Sequence, residues 1–136
     1  MTPLVKISED TAETAPTHGI PETAWSFELH REVDALKEAS QYRTTGHAAR
    51  TLFKSPELRI VLIVLRRGAE LKEHKTNQPV SLQVLEGAIR VALPKRTVEP
   101  AVGGLVLIEP TVLHDVIALA DSAFLLSMPW SEPTAD

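Results

Sequence analysis

Val80-Ser81-Leu82-Gln83-Val84-Leu85-Glu86-Gly87-Ala88-Ile89-Arg90-Val91-Ala92-Leu93 reads as two short strands joined at Glu86-Gly87. Val80, Leu82 and Val84 share one face while Ser81 and Gln83 share the other, the period-2 alternation of a half-buried strand. The pattern repeats outward from this stretch. Upstream, strands are expected over Ala48 to Phe53 and Leu58 to Arg66, split by Lys54-Ser55-Pro56-Glu57 with proline as the stiff turn element. Downstream they are expected over Thr97 to Glu99, Leu105 to Ile108, His114 to Leu119 and Ala123 to Met128. Leu93-Pro94-Lys95-Arg96, Val102-Gly103-Gly104, Glu109-Pro110-Thr111 and Ala120-Asp121-Ser122 punctuate them. Many short strands at regular spacing mean an all-β sandwich or barrel.

One segment departs from this pattern. Between Glu28 and Ser40, Leu29, Val33 and Leu36 recur at i, i+4 and i+7 with Ala35 and Ala39 beside them, and Arg31, Glu32, Lys37 and Glu38 fall opposite. That spacing predicts an amphipathic surface helix. Before it, Thr11 to Pro21 has no apolar period and reads as an extended arm, which Trp25 and Phe27 would pin to the body. The expected organisation is an arm over 1–27, a helix and connector over 28–45, a barrel over 46–130 and a tail over 131–136.

Composition narrows the function classes. A chain of 136 residues has room for one core. Fourteen Lys and Arg against 18 Asp and Glu leave a net charge of −4, which disfavours non-specific binding to nucleic acid or to an anionic membrane. No cysteine is present, so disulfides, thiol nucleophiles, thiolate zinc sites and iron–sulfur clusters are excluded. The N-terminus lacks the basic start and apolar run of a signal peptide, and Ile60 to Leu65 is far too short to span a bilayer, so a cytoplasmic protein is expected. That same run does not alternate, so both faces of its strand are apolar and something must cover the outer one. Either the helix does so or a second subunit does; a homodimer through the sheet containing Ile60–Leu65 is the expectation, because one short helix covers little area.

Two glycine-to-histidine stretches carry the chemistry: Gly68-Ala69-Glu70-Leu71-Lys72-Glu73-His74-Lys75-Thr76, closing at Val84-Leu85-Glu86-Gly87, and Gly103 through Pro110-Thr111-Val112-Leu113-His114. Over Leu58 to Met128 the chain resembles the cupin superfamily. The first motif of that family is Gly, five residues, His-x-His, three or four residues, Glu, six residues, Gly. The second is Gly, five residues, Pro-x-Gly, two residues, His, three residues, Asn. Gly68, His74, Gly87, Gly103 and His114 match, and Pro110 falls one place from the motif proline. The resemblance implies a double-stranded β-helix, a jelly-roll-like barrel.

The departures fall on the metal shell that the family uses. The second histidine of the first motif is Thr76 and its glutamate is Val80; the second motif's glycine is Thr111 and its asparagine Ala118. His74 and His114 remain, a thin shell for a divalent ion that wants three or more protein ligands. The expectation is that no metal is resident. The alternative is one divalent transition ion (Fe, Mn, Ni, Zn or Cu) on His74 and His114, completed by Glu70, Gln83 or water. Without a metal, the two histidines either hydrogen-bond a ligand and act as acid or base, or are inert barrel residues.

The resemblance thus implies a small-molecule ligand held among Val80, Leu82, Val84, Leu107 and Val116 and oriented by His74, His114 and Thr76. The protein would act as a sensor, sequestering protein or accessory subunit. The competing reading is a cupin enzyme, either a metal-dependent oxygenase or isomerase or a metal-free acid/base catalyst. Other polar residues read as peripheral: His18 and His30 exposed, His47 at a strand start with the barrel mouth as its alternative, Arg50 a solvated strand-edge charge ahead of a buried-pair or anion-binding arginine, Asp115 outward, and Arg66-Arg67 a surface pair.

Overall fold

The computed structural model describes residues 24–74 and 76–129, apart from the side chains at positions 73 and 74. Two helices, α1 (Leu29–Lys37) and α2 (Ser40–Thr45), precede nine strands: β1 (His47–Lys54), β2 (Arg59–Leu65), β3 (Glu70–His74), β4 (Val80–Glu86), β5 (Ile89–Ala92), β6 (Thr97–Val98), β7 (Leu105–Ile108), β8 (His114–Ala118) and β9 (Ser122–Met128). All pairings are antiparallel, in a five-stranded sheet of order β1-β2-β9-β4-β7 and a four-stranded sheet of order β3-β8-β5-β6. The all-β jelly-roll barrel is therefore the architecture. The sheets close over one apolar cluster: Val61, Ile63 and Leu65 from β2, Val80, Leu82 and Val84 from β4, Ile89 and Val91 from β5, Val116 and Ala118 from β8, and Phe124, Leu126 and Met128 from β9. The arm expected over 1–27 lies outside the described residues up to position 23, and the tail over 131–136 lies wholly outside them, as do His18 and Trp130.

The helical segment is two helices. Val33 and Leu36 are buried on one face of α1 with Leu29 partly buried beside them, but Ala39 turns extended and a second helix follows, with Tyr42 as its buried residue. Gly46 ends α2 in the left-handed conformation and donates its N–H to Tyr42 O at 2.8 Å. Arg66, exposed as expected of the Arg66-Arg67 surface pair, lies 5.2 Å from the Tyr42 ring and donates to Tyr42 O at 3.1 Å, at the carbonyl end of that helix. Arg50 is not the solvated edge charge but the buried-pair alternative: it meets Glu32 of α1 at 3.0 Å, and both side chains are largely buried. His30 is exposed as expected, yet with Lys37 it reaches Glu86 at 3.2 Å and ties α1 to β4.

Together α1 and α2 cover the outer face of β2. Val33, Leu36, Tyr42, Ala48, Leu52, Leu62, Val64 and Ala123 form a second buried cluster on that side. The homodimer expected through Ile60–Leu65 rested on an uncovered outer face, and Leu62 and Val64 are instead fully buried by helices of the same chain. No described helix is long and apolar enough to cross a membrane.

Candidate functional site

The two motif histidines meet across the sheet: positions 74 and 114 are direct partners in the β3–β8 ladder. A one-residue register shift between Leu71 and His74 produces this pairing. Before the shift Leu71 pairs with the inward Val116 and Glu70 with Ile117; after it, position 74 stands across from the inward His114. A slip of one residue exchanges faces. Glu70 and Lys72 therefore do not share the face of position 74. Both are exposed and pair with each other at 3.2 Å, so Glu70 is corrected from a metal candidate to a surface carboxylate.

Gln83 is also corrected. It is exposed on the outer face of β4, in unbroken register with Leu105, and the irregularity in the β4–β9 pairing falls only after Val84. Leu107, expected in the pocket, is 71% exposed, because β7 turns Val106 and Ile108 to the core and Leu105 and Leu107 outward. Val80, Leu82, Val84 and Val116 are buried on the inner face as read from the sequence. Thr76 lies half-buried in the loop between β3 and β4, its hydroxyl engaged with the carbonyl and N–H of Gln78.

His114 is 4% exposed at the start of β8. Its Nδ1 lies 3.1 Å from Val112 O, and a carbonyl only accepts, so Nδ1 carries the proton in the neutral ring. Burial pushes the imidazole below its ordinary value, against the opposing pull of the Val112 carbonyl and nearby Asp115. Asp115 itself alternates away from the inner face. A histidine with a lowered folded pKa binds its proton more readily when unfolded, so its stabilising contribution is present above about pH 6.5 and lost as pH falls towards the folded value. Urea unfolding of wild type and His114→Gln between about pH 7 and pH 5 is expected to show a shallower loss of stability in the variant; parallel curves would contradict the buried neutral imidazole.

Sequence reading missed two members of this end. Among the described residues four polar or charged side chains are buried: Thr51, Arg59, His114 and Ser122. Arg59 opens β2 opposite Met128, on the face of Val61 and Ile63, and Thr51 pairs with Val61. Short connections join the β4 and β7 ends of one sheet to the ends of β3 and β8, and Thr111 N–H bonds Thr76 O at 2.7 Å across these loops. Thr51, Arg59 and His114 therefore occupy one end of the barrel. Ser122 lies at the other, where its hydroxyl bonds Ala88 and Ala120. Alternation contained the signal for Arg59, since it shares parity with Val61, Ile63 and Leu65 in the most apolar strand of the chain.

Backbone conformation preserves the motif register even where the residue has changed. Thr111 stands where the second motif has glycine, and with φ 67° it is the one non-glycine described at positive φ. A β-branched residue there is strained by about 1–2 kcal/mol. Thr111→Gly is expected to raise stability by about 0.5–1 kcal/mol, the relief less the extra chain entropy of glycine. A lower urea midpoint in the variant would mean that the threonine side chain compensates its own strain.

The described side chains do not complete the metal shell that the motif resemblance implies. Among the described residues no group of three or more His, Asp or Glu could hold an ion. Val80 and Ala118, where the motifs carry glutamate and asparagine, are 4% and 2% exposed within the apolar core.

Half of the aromatic residues gather outside the barrel. Trp25, Phe27 and Phe53, three of the six in the chain, line an outer apolar groove of about 380 Å³ with Leu29, Leu52, Leu58, Ile60 and Leu125.

Comparison with solved structures places the fold. The chain is similar to KdgF from a Halomonas species (23% identity, TM-score 0.60, covering 64% of this chain and 82% of that one). It is similar to an RmlC-like cupin from Shewanella frigidimarina (22%, TM-score 0.60, covering 65% and 80%). It also resembles salicylate 1,2-dioxygenase from Pseudoaminobacter salicylatoxidans in complex with gentisate (20%, TM-score 0.68), covering 76% of this chain and 32% of that longer one. No family model and no curated protein matches the chain.

Proposed function

From the premise that this chain has the cupin fold, we propose that it binds a small molecule at the polar end of its barrel, as a sensor, sequestering protein or accessory subunit. One observation carries the reading. Three of the four buried polar side chains described, Thr51, Arg59 and His114, share one end of an otherwise apolar interior. Apolar walls with a few convergent polar groups are the ordinary composition of a ligand site. His74, opposite His114 in register, belongs to the proposed site.

A metal-free acid/base catalyst is the second reading, and the neutral state that burial favours for His114 supports it: such an imidazole is a base at physiological pH. Both readings place the ligand at the same end.

The test is a screen of neutral and charged fragments by NMR on the full chain. Saturable shifts of Thr51, Arg59 and His114 signals are the expected result, with those of Thr51 and Arg59 lost in His114→Phe. Shifts confined to Trp25, Phe53 and Leu125 would move the site to the outer groove and overturn the proposal. Untagged protein incubated with Fe, Mn, Ni, Zn and Cu is expected to bind them well below stoichiometry. A near-stoichiometric ion lost in a His74→Ala/His114→Ala variant would overturn the metal-free reading.

A further inference from the structure

Among the described residues the two sheets end in four edge strands, β1 and β7 in one and β3 and β6 in the other. Natural edges are usually blunted, because their unpaired N–H and C=O groups template pairing with another chain. Three of these four are blunted. β1 carries Arg50 and Lys54 and a register shift between Thr51 and Phe53. β3 carries Glu70 and Lys72 and shifts register between Leu71 and His74. β6 is two residues long, between Lys95-Arg96 and Glu99-Pro100. β7 has none of these devices: Leu105-Val106-Leu107-Ile108 holds no charge and no proline, and its pairing with β4 is unbroken.

The same edge is apolar on its outer face. Leu105 and Leu107 are 59% and 71% exposed, Val102 just before the strand is 62% exposed, and the cluster beneath α1 and α2 takes no residue from β7. Backbone direction follows from the ladder. Val84 N–H donates to Gly104 O at 3.1 Å, so by alternation Leu82–Val106 and Val80–Ile108 are the hydrogen-bonded pairs with β4. The N–H and C=O groups of Leu105 and Leu107 therefore point away from β4, and no described strand lies beyond them.

We propose that β7 pairs antiparallel with β7 of a second copy about a two-fold axis at Val106, joining the two five-stranded sheets into one. This register sets Leu105 opposite Leu107 of the second copy, and Leu107 opposite its Leu105, each pair exchanging both N–H···O bonds. The leucines of both copies then meet on the outer face. Glu109 falls opposite Gly103, so the register opposes no like charges. One short strand thus supplies donors, acceptors and apolar pairs that complement themselves, which is what a two-fold contact between identical chains requires. The surface lies across the sheet from the helices and leaves the covered outer face of β2 uninvolved. It is small beside the about 800 Å² per partner of a standard complex, so the dimer is weak and depends on concentration.

The test is sedimentation equilibrium of the full chain from about 10 μM to 1 mM, the range of a small interface, with amide hydrogen exchange followed by NMR at both ends. The average mass is expected to rise with concentration, and exchange at Leu105 and Leu107 to slow severalfold. Leu107→Lys, a charge on the exposed edge, is expected to weaken association at least about tenfold. Leu107→Pro removes an N–H that β4 does not use, and is expected to do the same. A monomer mass throughout the range would overturn the proposal, and so would association that survives both substitutions. Leu105 and Leu107 amides equally slow at both concentrations would mean that a segment of the same chain covers the edge, and would overturn the second copy as its occupant. The wild-type measurements decide the matter even if a variant fails to fold.

Discussion

Gly87→Ala is expected to destabilise the protein by about 3–5 kcal/mol, a large part of the ~5–15 kcal/mol that holds an ordinary domain together. Gly87 lies between β4 and β5 with φ +80°, and a Cβ there would stand 2.3 Å from Asp121 O, 2.4 Å from Ser122 Oγ and 2.8 Å from Ser122 Cα. The left-handed backbone accounts for about 1–2 kcal/mol of the cost. The remainder comes from forcing apart two turns that cannot relax independently. Ser122 Oγ accepts the Ala88 N–H at 3.0 Å and donates towards the Ala88 and Ala120 carbonyls, so the same hydroxyl that alanine would displace satisfies the backbone beside it.

Gly68 supplies the control. Its φ is +88°, but a Cβ there meets nothing within 4 Å. Gly68→Ala is therefore expected to cost only the backbone penalty, about 1–2 kcal/mol. Urea midpoints with unchanged slopes would measure both. Equal losses would mean that close approach of the turns adds nothing and that the glycine at the close of the first motif serves its own conformation alone.

These two glycines mark how far the chain could be read without coordinates. Eight strands were legible because their apolar residues alternate or cluster between turn signals. β3 was not legible as a strand: Glu70-Leu71-Lys72-Glu73-His74 has a single apolar residue and a register shift inside it, and a period-2 reading fails across the shift. That failure turned Glu70 towards the site on paper and outward in the fold. Leu107 was misplaced for the opposite reason. Leu105-Val106-Leu107-Ile108 is apolar throughout, so periodicity cannot choose its inner face, and β7 is an edge strand on which Leu105 and Leu107 stay exposed. α2 escaped because six residues with one buried side chain leave no period to detect. His114 was found through its motif, whereas Arg59 and Thr51 belong to no motif and become site residues only when strand pairing brings them to the same end.

Leu36→Ala is expected to destabilise the protein by about 3 kcal/mol and to make it self-associate. Leu36 is fully buried in the layer between α1 and the outer face of β2, against a cluster that includes Leu62 and Val64. Truncating such a leucine removes its transfer free energy and leaves a cavity, together about 2–5 kcal/mol. The second effect follows from what α1 covers. Isolated helices this short are marginal in water, so α1 depends on its packed face, which Leu29, Val33 and Leu36 supply. Weakening that face raises the population in which the helix lifts and β2 exposes a strand apolar on both sides, a surface that favours association. Sedimentation velocity at equal concentrations is expected to show more associated material for Leu36→Ala than for wild type. Asp34→Ala, a change on the exposed face of the same helix, is expected to leave stability within about 0.5 kcal/mol and association unchanged. Destabilisation without association would separate the two roles: α1 would then contribute packing energy to the barrel while the outer face of β2 stays covered by α2 and Tyr42.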